Sequence, residues 1–105
     1  VFDAREKAIK DDSIFKITNS FIARDKKQAW LDFLDITTRE SGESIQGVIW
    51  WKFQIEWQRV KEGKRSLFTV QECERIGGDL VRSRILAHRG ERDLSIELER
   101  IILSL

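Results

Sequence analysis

The run Ser44-Ile45-Gln46-Gly47-Val48-Ile49-Trp50-Trp51-Lys52-Phe53-Gln54-Ile55-Glu56-Trp57-Gln58-Arg59-Val60-Lys61-Glu62-Gly63 decides the fold class. Ile49, Phe53, Trp57 and Val60 recur at helical spacing and form one apolar stripe; Val48, Trp51 and Ile55 form a second. The nearest thing to strand alternation, Val48 to Ile55, sits inside this longer helical pattern. A helix that is apolar on more than one side is central in a bundle or faces a partner. Trp50 follows neither stripe and lies between them and the polar side. Such an aromatic either anchors an interface or is covered by a neighbouring helix of the same chain, and the sequence leaves both open.

Upstream, Asp12 or Ser13 can cap a helix from about Ile14 to Ala23. Ile14, Ile17 and Phe21 carry its stripe, and Phe15 with Ile22 widen it. Asp25 opens a second helix, with Gln28 completing a capping box, and Trp30, Phe33, Leu34 and Ile36 face inward as far as about Arg39. Ser41-Gly42 is expected to end it. Downstream of the central run, Lys61 to Ser66 reads as a basic loop. Thr69 and Glu72 form another capping box, and the helix behind them runs to about Arg89 with Val70, Cys73, Ile76, Leu80, Val81 and Ile85 inward. Its Gly77-Gly78 pair costs about 2 kcal/mol relative to alanine and marks a close helix crossing, a kink or a break. Gly90 stops the helix, and a last one begins at Asp93 or Leu94 with Leu94, Leu98, Ile101 and Leu105 on its stripe. The expected fold is an all-α bundle of four or five helices with short loops, over residues 14–105. Residues 1–13 are expected to be the remnant of a linker or upstream domain.

The chain has 105 residues, enough for one domain that buries roughly 65% of its extended-chain surface. Apolar residues at 41% and charged residues at 35% exclude a disordered tail, and no apolar run approaches the ~20 residues of a membrane span. Proline is absent where about 5% is usual, which suits helices with glycine-marked joints. The single cysteine, Cys73, excludes an internal disulfide and a cysteine-based zinc site, and suits the expected cytoplasmic setting. Val1 in place of methionine, with no methionine anywhere, is expected of a processed product or a piece of something longer. The segment Val1 to Lys10 is charged and lacks the apolar region of a signal peptide. A net charge of +1 is far from the basic excess of a dedicated nucleic-acid binder.

No glycine-rich phosphate loop and no G-x-S-x-G elbow occurs in the sequence. Zinc needs several His or Cys ligands, and only Cys73 and His88 are on offer. Those two stand about 22 Å apart along a continuous helix, so they meet only if it breaks at Gly77-Gly78. Cys73 reads as a small core residue and His88 as a last-turn cation. The carboxylate pairs Asp32/Asp35 and Glu72/Glu74 read as solvent-facing. No catalytic residue, cofactor or metal is expected. Lys64, Arg65, Arg82, Arg89 and Arg92 are candidate phosphate contacts, and the tryptophans beside Lys52 and Arg59 could stack bases. The stronger account of Trp50, Trp51, Phe53 and Trp57 is helical packing or a protein interface.

Three stretches carry a family resemblance. The first is Ile14-Phe15-Lys16-Ile17-Thr18-Asn19-Ser20-Phe21 followed by Arg24-Asp25-Lys26-Lys27-Gln28-Ala29-Trp30. The second is Gly47-Val48-Ile49-Trp50-Trp51-Lys52-Phe53 continuing to Val60-Lys61-Glu62-Gly63. The third is Asp79-Leu80 through Ala87-His88-Arg89-Gly90, then Leu94 and Ile96-Glu97-Leu98-Glu99-Arg100-Ile101-Ile102. In this order they resemble the C-terminal helical domain of the delta subunit of bacterial DNA polymerase III, which joins the clamp-loader collar. Two departures stand out: His88 replaces the family's usual Lys, and the usual extra helical segment after Gly63 is missing. The resemblance implies a non-catalytic module that binds neither ATP nor the sliding clamp and holds subunits together during DNA replication. Its implied partners are other clamp-loader subunits, with self-association when isolated, DNA met only through the complex, and no membrane. The competing expectation is a small helical nucleic-acid-binding module.

Overall fold

A segment with an apolar residue every three or four positions has one stripe to bury, and stripes buried against one another build a helical domain. The computed structural model describes residues 14–105, and among them the chain forms five helices and no strand. This is the expected all-α bundle. The segment 1–13, expected as a remnant of something upstream, lies outside the described residues. The helices are α1 (14–22), α2 (Lys26–Ile36), α3 (Gly42–Lys61), α4 (Val70–His88) and α5 (Leu94–Leu103). α3 packs along α4, and α5 closes against α4, α2 and α3.

Local chemistry sets most boundaries. Thr69 and Glu72 make the full reciprocal capping box at the start of α4, and the Asp93 carboxylate accepts from the Ser95 and Ile96 N–H groups at the start of α5. Gly63 and Gly90, at φ of 77° and 73°, end α3 and α4 in the left-handed conformation that a Cβ disfavours. Three expectations need correction. The box at α2 is only half made: Asp25 accepts from the Gln28 N–H at 3.2 Å, but the Gln28 amide turns forward to Asp32 at 2.8 Å. α2 ends at Ile36 rather than Arg39, because the Thr37 and Thr38 hydroxyls donate to the Leu34 and Asp35 carbonyls, an alternative to the helical ladder. Ser41-Gly42 does not close α2 but opens α3, with the Ser41 hydroxyl accepting from the Ser44 N–H at 3.2 Å.

The core is centred on Phe53, whose ring is fully buried and meets Phe21 and Phe68 edge-on at centroid distances of 6.0 and 5.5 Å. Ile17, Ile36, Ile45, Ile49, Ile76, Leu80, Leu98 and Ile102 fill the space around it. Polar ties then fix one helix to another. The Ser20 hydroxyl donates to Asp32 (2.9 Å), the Trp30 indole N–H to Glu99 (3.2 Å), and the buried Gln46 amide to the Leu80 carbonyl (3.2 Å).

Arg24 is the widest-reaching of these ties. It takes the left-handed conformation (φ 54°) in the turn after α1, at a cost of roughly 1–2 kcal/mol for a residue with a Cβ. Its guanidinium donates to the Leu67 and Leu105 carbonyls, both at 3.0 Å, pairs with Glu72 and lies over the Phe68 ring. One side chain thus gathers the α1–α2 turn, the loop before α4 and the C-terminal turn.

α4 runs unbroken through Gly77-Gly78, so of the three readings of that pair the close crossing holds. A Cβ on Gly77 would stand 2.5 Å from Cζ3 of Trp57, so the indole occupies the place of the missing side chain. Gly78 has nothing within 4 Å of its Cβ position. Cys73, Ile76 and Leu80 face inward as expected, but Val70, Val81 and Ile85 do not: they are 44%, 42% and 47% exposed. Neighbouring helices cover only the arc of α4 that carries Cys73, Ile76, Leu80 and Ser83, and no described helix lies over the flank beside it.

Two outcomes follow from these contacts. Gly77→Ala should lower stability by about 1–3 kcal/mol, because overpacking exceeds the ~1 kcal/mol gained in helix propensity. Gly78→Ala should raise stability by about 0.5–1 kcal/mol. In a Trp57→Ala background the Gly77→Ala penalty should vanish; urea melts of the double-mutant cycle measure this. Glu72 is held below its ordinary value of 4.5, first by the Thr69 N–H and then by Arg24. Its ionised form therefore stabilises the fold above the unfolded carboxylate range, and that contribution fades as pH falls through the lowered folded value. Glu72→Gln should flatten the loss of stability between about pH 5 and pH 2, read from thermal melts.

Candidate functional site

α3 carries more apolar surface than the core absorbs. Ile45, Ile49 and Phe53 saturate the inward arc. Trp50 and Trp57 lie on the α4 side of it, and Val48, Trp51 and Ile55 lie about 140° further round at 100° per residue. Trp50 and Trp57 line one surface and Val48 and Trp51 another, while Ile55 is exposed outside both.

The first surface is a groove of about 600 Å³ between α3 and α4. Trp50, Trp57, Gly77, Gly78, Val81 and Ile85 make its apolar walls, with Arg82, Arg89 and Glu74 on its rim. Trp50 is partly covered by its own chain: one side packs on the core cluster, and the other lines the groove. Trp57 is wedged between Gly77, the Phe53 ring (6.3 Å) and the Lys61 ammonium (4.9 Å). Its indole N–H is buried without an acceptor among the described residues, an arrangement that costs about 1–3 kcal/mol. Shape, not hydrogen bonding, therefore holds this ring in place. The open Gly78 lets another backbone approach the groove floor closely.

The second surface is a shallow hollow of about 540 Å³ lined by Ile14, Phe15, Gly47, Val48 and Trp51, with Glu40 and Glu43 beside them. Trp51 is 54% exposed and leans against Phe15, itself 43% exposed, at 6.5 Å between centroids. Phe53, expected as an interface candidate beside these tryptophans, is corrected to a core residue with no exposed surface. Its place on the helix turns it towards Phe21 and Phe68, away from both surfaces.

The basic candidates do not form one patch. Lys64 pairs with Glu62 at 3.0 Å, and that contact, followed by the Gln58 amide, holds the Glu62 carboxyl below its ordinary range. Arg65 lines a separate hollow with Lys52 and Glu56. Both lie before the start of α4, whereas Arg89 and Arg92 follow its end, about 28 Å away along a helix of 19 residues. Arg82 and Arg92 do meet, in a cleft between α4 and α5, where Arg75 and Arg100 join them. Sequence reasoning missed the last two. Their signal was the 75, 79, 82 spacing along α4, but only packing brings α5 alongside.

The remaining candidates are structural. Cys73 is buried in the core and His88 is exposed at the far end of the same unbroken helix, so the two do not meet. Burial pushes the Cys73 thiol up, and Glu56 and Glu72 add to the effect. Asp32 serves Ser20 and Gln28, Asp35 pairs with Arg39 at 2.6 Å, and Glu72 caps α4. Among the described residues, no group of three or more His, Cys, Asp or Glu is placed to hold a metal, and no helix is long and apolar enough to cross a membrane. Comparison with protein-family models, curated proteins and solved structures finds no match to this chain.

The environment of Cys73 has a measurable consequence. A thiol reagent at about pH 8 should label the native chain only as fast as α4 opens, and the urea-unfolded chain at once. Rapid labelling of the native chain would contradict this burial.

Proposed function

We propose that this chain is a non-catalytic helical assembly module which holds protein subunits together, as the collar domain of a clamp-loader delta subunit does in DNA replication. The observation that carries the reading is the pair of apolar surfaces flanking α3: the Trp50–Trp57–Ile85 groove and the Phe15–Trp51 hollow. Single exposed apolar residues are ordinary, but clusters with polar rims mark interaction sites. Here the rims differ in sign. Arg82 and Arg89 outnumber Glu74 on the groove's rim, which is net positive, whereas Glu40 and Glu43 border the hollow. Two unlike faces of opposite net rim charge, both bordered by α3, suit head-to-tail association, the arrangement that generates rings. A collar subunit has two different neighbours and needs such a pair of faces. The sequence resemblance supplies the clamp-loader context, with other clamp-loader subunits as partners and the cytoplasm as setting.

A single nucleic-acid patch is the weaker reading, since Lys64 and Arg65 stand apart from Arg89 and Arg92. Light scattering on mixtures with clamp-loader partner subunits tests the proposal. Association should appear at micromolar concentration and weaken about tenfold or more in Ile85→Glu and in Trp51→Glu, each of which puts a charge into one apolar face. Both variants should keep native helicity by circular dichroism, because both positions are exposed. A well-folded chain that stays monomeric with every partner at high micromolar concentration would sink the reading.

A further inference from the structure

The cleft between α4 and α5 gathers four guanidiniums, those of Arg75, Arg82, Arg92 and Arg100, around two carboxylates, Asp79 and Glu97. It therefore carries +2, whereas the whole chain carries +1 and the remainder sums to −1. The positive field is local, and the bulk composition hides it.

Each carboxylate stands between two arginines. Asp79 lies 3.9 Å from Arg75 and 3.5 Å from Arg82; Glu97 lies 4.0 Å from Arg92 and 3.6 Å from Arg100. These spans exceed the roughly 2.7–2.9 Å of a charge-assisted hydrogen bond, so the carboxylates orient the guanidiniums without using up their donors. The cleft measures about 360 Å³. That is room for about a dozen waters at roughly 30 Å³ each, or for a pair of phosphate groups. Leu86 and Ile101 form an apolar floor, and the guanidiniums stand exposed around it, open to an incoming ligand. The Ser83 and Ser104 hydroxyls donate to the Leu80 and Ile101 carbonyls, which leaves the arginines as the donors that face the space.

We propose that this cleft binds two neighbouring phosphate groups, supplied either by a free polyphosphate or by a nucleic-acid strand. Arginine's planar fork matches phosphate oxygens two at a time, and four forks around one cleft suit a doubly charged ligand. The cleft adjoins the apolar groove, with Arg82 and Leu86 common to both, but the proposal does not rest on the assembly reading.

The test is a calorimetric titration of the chain with inorganic pyrophosphate and, separately, with a short oligo-dT. Arg75→Gln combined with Arg100→Gln leaves each carboxylate one arginine partner and leaves Arg82, which also borders the apolar groove, intact. This double variant should bind about tenfold or more weakly, as expected for two lost charge-assisted contacts. Arg84→Gln, on α4 outside the cleft, should change affinity less than about twofold. If the double variant melts early, Arg100→Gln alone, on the exposed side of α5, gives the same reading with a smaller loss. Pyrophosphate binding without oligo-dT binding identifies a free polyphosphate. Oligo-dT binding that pyrophosphate competes away, with a log–log salt slope of roughly −1.4 for two phosphates, identifies a strand. Absence of saturable binding by either probe at low salt overturns the proposal, as does affinity unchanged by the arginine variants.

Discussion

The Trp57 indole lies where the side chain of residue 77 would otherwise be, and that contact sets how α3 and α4 stand against each other. No side chain larger than hydrogen fits at Gly77 while the ring stays in place. The ring in turn is held by Phe53, the hub of the core, so the crossing is coupled to the packing of Phe21 and Phe68. The closeness has a cost in the buried indole N–H, which has no acceptor among the described residues. It also has a consequence at the surface: beyond the crossing the two helices leave a groove, with Gly78 on its floor and Trp50, Val81 and Ile85 along its walls.

α3 serves the core and two surfaces at once. It must supply Ile45, Ile49 and Phe53 to the core, and three inward residues per two turns are enough for that. Its remaining aromatic and β-branched residues exceed what one core can cover. They emerge on two sides, in the groove against α4 and in the hollow beside Phe15. The arginine cleft is a third feature, set on the α4–α5 side and built from ion pairs instead of apolar surface. The cleft and the groove adjoin, with Arg82 and Leu86 common to both.

Much of this was legible before any coordinates. The helical period of Ile49, Phe53 and Leu80, the caps at Asp25, Thr69 and Asp93, and the stops at Gly63 and Gly90 all act within a turn or so of chain. The misreadings have specific sources. Thr37 and Thr38 ended α2 early because their hydroxyls compete for backbone carbonyls. Ser41-Gly42 suits a helix end and a helix start equally well, and the choice fell to the Ser44 N–H. Val81 and Ile85 sit at helical spacing from inward residues, yet their burial depends on whether a neighbouring helix reaches that flank. Phe53 and Trp57 share one stripe, but the first is central and the second peripheral, a distinction that a periodicity cannot draw.

Local order thus settled that the chain is helical, roughly where each helix begins and ends, and which residues are apolar enough to form a core. These are short-range effects of hydrogen-bond satisfaction and side-chain period, and every one operates between residues a few positions apart. Folding in three dimensions alone decided which stripe faces inward, that Arg24 joins three distant segments, and that arginines from α4, α5 and the turn between them converge on one cleft. The reason is that such groupings depend on how whole helices lie side by side. That is fixed by the mutual fit of surfaces such as Gly77 and Trp57, not by the pattern along any single helix.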